Sequence, residues 1–394
     1  MKITAVETIP MRGPVEDPPG WVTTPIDVFA PGGHRSGRRH YSPPNPDLVS
    51  NVIVQVNTDD GISGLGTVGL GSPAAIEVIG QHLEPLVVGR DPFDVEYLWE
   101  RMFRSTVNIG RKGLVLEAIS AIDIALWDII GKSTGQPVYR LLGGRTKDSI
   151  RAYVSQSYAR EDLGEVRDEA ASYMTAGFTA LKMRFGYGPY DGPAGKRKNR
   201  ALVQTVREAV GDEVELMADA YMGWDVPYAI DMIHRLEDLE LTWVEEPVLP
   251  DDLDGYARIR DCVHTPVSGG EHEFTRWGYR ELITRRAVDI VQPDVNRMGG
   301  ITEARKVWAL ASAFHLPVIP HSNQAHNAHL IMAHLNSPLI EVFPETGFRS
   351  AYTFYNEFFV GEPRAVDGYV HLEDRPGLGI ELNHEVVERF RADC

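Results

Sequence analysis

The chain has 394 residues, 43% of them apolar and 24% charged, an ordinary balance for a folded protein of more than one domain. Its formal net charge of −17 excludes nucleic acid as the natural partner, because such partners want a basic face. No apolar stretch is long enough to span a bilayer, so no membrane partner is expected.

The N-terminus, Met1-Lys-Ile-Thr-Ala-Val-Glu-Thr, alternates like a strand and lacks the apolar core of a secretory signal. Only two cysteines occur, Cys262 and Cys394, and a reducing, cytoplasmic home is expected. Residues 1–125 do not repeat as β/α units. Lys2–Met11 and Asn51–Val56 are strand-like, and the turn signal Thr58-Asp-Asp-Gly61 leads into a further strand-like run through Val68. Gly13–Pro46 is rich in Pro, Gly, Arg and His without periodicity, and a loop of that length is usually functional or disordered. Helices are predicted from about Pro73, after Asp91 as a cap, and from near Lys112. The last holds the apolar ladder Ile119, Ile122, Ala125, Leu126 and Ile129. These elements predict a small α+β domain.

From about Ile150 strands and helices alternate. The strand candidates are Ile150–Ser155, Thr179–Arg184, Val214–Asp219, Leu241–Glu245, Pro266–Glu271, Val288–Asp294, Pro317–His321 and Ile340–Phe343. Eight such strands make an α/β barrel of the TIM type over residues 126–350, whose active site lies at the C-terminal ends of the strands. The turn-rich tail 351–394 is expected to return to the first domain.

Three acids stand at equal intervals, Asp219, Glu245 and Glu271, with 245 − 219 = 26 and 271 − 245 = 26. Twenty-six residues is about the length of one β/α unit, so the acids close three neighbouring strands and converge on one point. Three carboxylates suit a hard dication such as Mg²⁺. A strand-end acid alone often only caps the next helix; three in register are better explained as a metal site. Glu246, pointing the other way, reads as a partner to that set. His321 and Asp294 end adjacent strands, where the acid would fix the imidazole as a general acid/base.

Lys182 and Arg184 share one face of the second strand. A desolvated lysine near a metal can act as a base, whereas arginine keeps its proton. Glu341 either meets a substrate carboxylate or caps a loop. His272, His34 and Arg38, with Arg39, are candidates for substrate hydroxyls. A zinc reading of His321, His326 and His329 is weaker, because residues 326 and 329 read as an ordinary surface pair one helical turn apart.

The motifs Ala218-Asp219, Trp243-Val-Glu-Glu-Pro247, Gly270-Glu271-His272, Gln292-Pro-Asp294 and Pro320-His321 resemble the mandelate racemase subgroup of the enolase superfamily. Ala125-Leu-Trp-Asp128 and Leu141-Leu-Gly-Gly144 extend the resemblance along nearly the whole chain. Within the subgroup, Gly186–Gly195 and Glu271-His272 look most like L-rhamnonate dehydratase-like acid-sugar dehydratases. The resemblance implies a (β/α)₇β barrel capped by an α+β domain built from both chain ends, and one Mg²⁺ on Asp219, Glu245 and Glu271. It implies a His321–Asp294 dyad that takes the C2 proton of an acid sugar and then assists loss of the 3-hydroxyl, with Glu341 beside the enediolate; the superfamily's use of a Lys or His base with Mg²⁺ is a standard example. It also implies a homo-oligomer, dimer or octamer.

Racemases of the subgroup carry Lys-x-Lys where this chain has Lys182-Met-Arg184, which argues against inversion at C2. Arg184 also sets the chain apart from L-rhamnonate dehydratase, so L-lyxonate and L-mannonate are rival substrates. Tyr221 stands where many relatives have Asn. The alternatives are an epimerase or racemase with Lys182 as second base, and a non-catalytic barrel that binds an acid sugar.

Overall fold

The computed structural model describes residues 1–13, 16, 18–30, 51–69, 73–344 and 351–392. Near the N-terminus, β1 (Ile3–Met11), β2 (Asn51–Thr58) and β3 (Ser63–Val68) form an antiparallel sheet in that order. The helix Leu114–Thr134 packs on this sheet, and its ladder residues Ile119, Ile122, Ala125, Leu126 and Ile129 are all buried. Two glycines of β3 permit the approach. A Cβ at Gly64 would lie 2.0 Å from the Ala125 carbonyl oxygen, and one at Gly66 would lie 2.1 Å from that of Ala121.

Two expectations shift here. Asp91 does not cap a helix: its carboxylate accepts from Phe93 N at 3.0 Å in a local turn, and the helix starts later, as Val95–Ser105. The expected boundary at residue 125 falls inside the unbroken, buried helix Leu114–Thr134, which offers no exposed linker there.

The barrel strands β4 (Ile150–Ser157), β5 (Ala180–Arg184), β6 (Glu215–Asp219), β7 (Trp243–Glu245), β8 (Val267–Gly269) and β9 (Ile290–Val291) pair in parallel in chain order. The last, β10 (Leu339–Val342), pairs back with β4. The expected seventh strand reduces to one bridge, Val318 against Val291. Pro317 and Pro320 flank it and Pro293 follows β9; each lacks an N–H for a ladder, which shortens both neighbours. A helical connection separates each stave from the next, the one after β9 being split into Val295–Met298 and Gly300–Ala313, so the barrel is (β/α)₇β.

Acids after the strands do cap helices, but they are other acids. Asp162 accepts from Gly164 N, Asp225 from Tyr228 N and Asp252 from Gly255 N. Asp219 and Glu245 are thereby relieved of that duty. The barrel interior is closed at its lower end by Tyr153, Ala180, Met217, Trp243, Ile290, Ile319 and Leu339.

Two backbone hydrogen bonds link the tail to the end of β1: Arg12 N donates to Phe390 O, and Ala392 N to Pro10 O, both at 2.8 Å. The tail also does what its sequence did not suggest. The strands Ala365–Val366 and Tyr369–Val370 form a hairpin that joins β4 antiparallel, adding to the barrel sheet. Among the described residues no helix is long and apolar enough to cross a membrane.

Candidate active site

Successive inward residues of the strands change from apolar to charged toward the C-terminal ends. On β5 the series is Ala180, Lys182, Arg184; on β7 it is Trp243, Glu245; on β10 it is Leu339, Glu341. Lys182 is 1% exposed and lies between two carboxylates, touching Glu245 and standing 3.0 Å from Glu341. Burial alone would strip its proton, but Glu245 and Glu341 outweigh that and hold the ammonium charged. With both carboxylates against it, Lys182 carries its proton in the described contacts.

Arg184 reaches Asp219 at 2.7 Å and lies over the Tyr158 ring. Asp219 is paired directly with Glu245 across β6 and β7 and also accepts from Tyr221 N at 2.7 Å. Burial, then the charge of Glu245, pushes its pKa up to about 6. Glu245 accepts from Gln292 at 2.7 Å and from the Trp243 indole at 3.0 Å.

Glu271 stands beyond the end of β8 rather than on it. Gly270, at φ 126°, turns the chain there. Burial would raise Glu271, but His321, His272 and Arg297 reverse that and hold it below the carboxylate range. Among the described residues, the acids and histidines whose ligand atoms approach within 4.8 Å of one another are Glu246, Glu271 and His272. This differs from the expected grouping of Asp219, Glu245 and Glu271. The reason is local: Asp219 is drawn to Arg184, and Glu245 to Lys182 and Gln292.

The His321 and Asp294 side chains meet, Nδ1 to Oδ2 at 2.8 Å, both buried, although His321 lies beyond the one bridge of its stave. Asp294 does not end a strand; it caps the short helix Val295–Met298 by accepting from Asn296 N. The other imidazole nitrogen lies 3.6 Å from Glu271. Burial would lower the His321 pKa, but Glu271, Glu341 and the Asp294 hydrogen bond raise it to about 9. Glu341 takes the loop role as well as the charge role: it accepts from Ser322 N just after His321 while paired with Lys182.

His272 points Nδ1 at Glu246 at 2.9 Å, with Nε2 3.7 Å from Glu271, and the Tyr221 ring stands edge-on at 5.7 Å. His34, Arg38 and Arg39 lie outside the described residues. His326 and His329 are buried rather than a surface pair. His329 accepts from Tyr139 N and contacts Leu378 O, and burial pushes His326 down to about 3, so both are neutral core residues.

The sequence reasoning missed Arg297. Its guanidinium is 3.2 Å from Asp294 and 3.4 Å from Glu271, joining the dyad to the carboxylates. The signal was present: Arg297 follows Asp294 by three residues at a helix start, where such side chains meet. Gln292 and Trp243, which orient Glu245, stood inside recognised motifs without a role.

A capped (β/α)₇β barrel with acids and a His–Asp pair at its C-terminal face is the architecture of the enolase superfamily. Residues 165–386 match the model described as Enolase C-terminal domain-like, and residues 47–143 match the mandelate racemase / muconate lactonizing enzyme, N-terminal domain. The chain belongs to this mandelate racemase/muconate lactonizing enzyme family. It is 37% identical over 348 residues to an L-rhamnonate dehydratase of Saccharopolyspora erythraea, covering 87% of this chain and 86% of that one. A crystal structure of rhamnonate dehydratase from Gibberella zeae complexed with Mg superposes with a TM-score of 0.85 at 33% identity, covering 99% and 96% of the two chains. A racemase from Streptomyces coelicolor with bound magnesium gives 0.82 at 27% identity, covering 99% and 100%.

Proposed function

We propose that the protein is a Mg²⁺-dependent dehydratase of an acid sugar of the L-rhamnonate type, with L-lyxonate and L-mannonate as rival substrates. The observation that carries this is the asymmetry of the site. One face presents the buried His321–Asp294 pair; the other presents cations held by carboxylates, Lys182 by Glu245 and Glu341, and Arg184 by Asp219. One base on one face suits elimination, whereas inversion at C2 needs a proton acceptor on each.

Asp219, Glu245 and Glu271 fit a hard divalent ion by donor type and place. All offer oxygen only, two end adjacent strands, and Asp219 and Glu245 repel each other, as the raised Asp219 pKa reflects. Bound there, Mg²⁺ supplies positive charge beside the substrate carboxylate and so acidifies the C2 proton. His321 accepts that proton at Nε2, with Asp294 holding Nδ1. The C2–H pair forms the C2–C3 double bond as the 3-hydroxyl leaves, taking the proton from the imidazolium as water. The resulting enol tautomerises to a 2-keto-3-deoxy acid. In this reading His272, whose Nδ1 is held by Glu246, and Arg184 read substrate hydroxyls.

The test is a library of aldonates and aldarates incubated with the protein and Mg²⁺, with keto acid trapped as semicarbazone. A strong product signal, lost with EDTA and in His321→Asn, is expected. Silence across the library with metal demonstrably bound would remove the dehydratase reading for these substrates.

A further inference from the structure

The barrel holds the backbone of the His321–Asp294 pair by only a few contacts: His321 N donates to Pro293 O at 3.0 Å, and Asn327 Nδ2 donates to the His321 and Ser322 carbonyls at 2.8 and 3.1 Å. β9 is two residues long, and Asp294 opens a helix of only four. His321 follows a stave reduced to one bridge, and Ser322 after it has φ 77°, which non-glycine residues avoid unless neighbours impose it.

Part of the support comes from outside the barrel. On the Asp294 side, the Thr67 hydroxyl of β3 donates to Asn296 Oδ1 at 3.2 Å, and Asn296 N donates to Asp294 Oδ1 at 2.8 Å. The Tyr355 phenol of the tail hydrogen-bonds Thr67 in turn. On the His321 side, Asn323 Nδ2 donates to Asn356 Oδ1 of the tail at 3.0 Å, and Ala325 N donates to Glu362 of the tail at 2.6 Å. All of these side chains are buried.

We propose that Thr67 and Asn356 are positioning residues for the dyad, so that cap and tail together set the orientation of Asp294 and His321. The idea rests on the catalytic reading of that pair given above. A buried strut of this kind acts through geometry: a small displacement of a proton acceptor costs rate far more than it costs binding. It also makes the dyad a composite of three chain regions, complete where cap, tail and barrel dock.

The experiment compares Thr67→Val, Asn356→Ala and the conservative Thr67→Ser with the parent full-length protein. Readouts are kcat, KM, the isotope effect with C2-deuterated substrate, thermal midpoint and the ¹⁵N resonances of the His321 ring. Thr67→Val and Asn356→Ala should lower kcat about 10- to 100-fold with KM within about threefold, and enlarge the isotope effect. Thr67→Ser should recover most of the loss. The idea is overturned if kcat per folded molecule is unchanged while the midpoint falls, or if Thr67→Ser is as impaired as Thr67→Val. If the parent protein turns over no acid sugar, the dehydratase reading fails by itself. The ring resonances then decide: shifted in Thr67→Val they sustain the strut, unmoved they overturn it.

Discussion

His321 and Lys182 both feel the charge of Glu341, yet the structure gives them different surroundings. Lys182 has two anionic partners, which hold its pKa well above the usual lysine value. Lys182→Met would leave two buried carboxylates without their cation, and a loss of about 3–5 kcal/mol is expected in urea unfolding. A loss near zero would mean the pair is not closed in solution. His321 sits among Glu271, Glu341 and Asp294, which place its pKa at about 9. Without divalent ion the ring should stay protonated through neutral pH and titrate near 9 by NMR. An ion that neutralises the carboxylates should bring the midpoint down, freeing the base. A midpoint near 6.5 in metal-free protein would contradict the described contacts. The acid side of a kcat/KM profile should fall as His321 takes up its proton.

At the scale of elements, the register of strand ends carried most of the site. Asp219, Glu245 and Glu341 were legible because a strand's period fixes which side chains point inward and its end fixes their height; His321, beyond the single bridge of its stave, was legible as a residue. Glu271 and Asp294 were legible as residues but not as geometry, since Gly270 and Pro293 take both off their strands. The Gly64/Gly66 approach yields a sharp expectation. Gly66→Ala drives a Cβ against the Ala121 carbonyl and should cost about 1–3 kcal/mol, seen as a lowered thermal midpoint. Glu362 yields another. Burial pushes its pKa up to about 8, above the unfolded value, so its stabilising contribution is whole at acid pH and is lost as pH climbs through about 8. Glu362→Gln should flatten that decline between pH 5 and 9; parallel curves for both proteins would refute the assignment.

Across the whole molecule, the equal 26-residue spacing and the strand–helix alternation announced the barrel, because both are local properties of the chain. What stayed hidden is non-local. No periodicity tells that the hairpin at Ala365–Val370 joins β4, that Thr67 reaches Asn296 across 229 residues, or that Arg184 rather than a neighbouring carboxylate engages Asp219. His326 and His329 misled for the same reason: the helix Ala325–Ala333 is enclosed by the tail and by Tyr139, which lie far away in sequence. The proposed chemistry depends on this assembly, since one-sided proton transfer requires the dyad on one face and locked cations on the other. The most direct measurement is to run the reaction in D₂O with Mg²⁺ and follow substrate and product by ¹H NMR. The account predicts a 2-keto-3-deoxy acid carrying one deuterium at C3, with no C2 epimer of the substrate. Appearance of the deuterated C2 epimer without keto acid would contradict it.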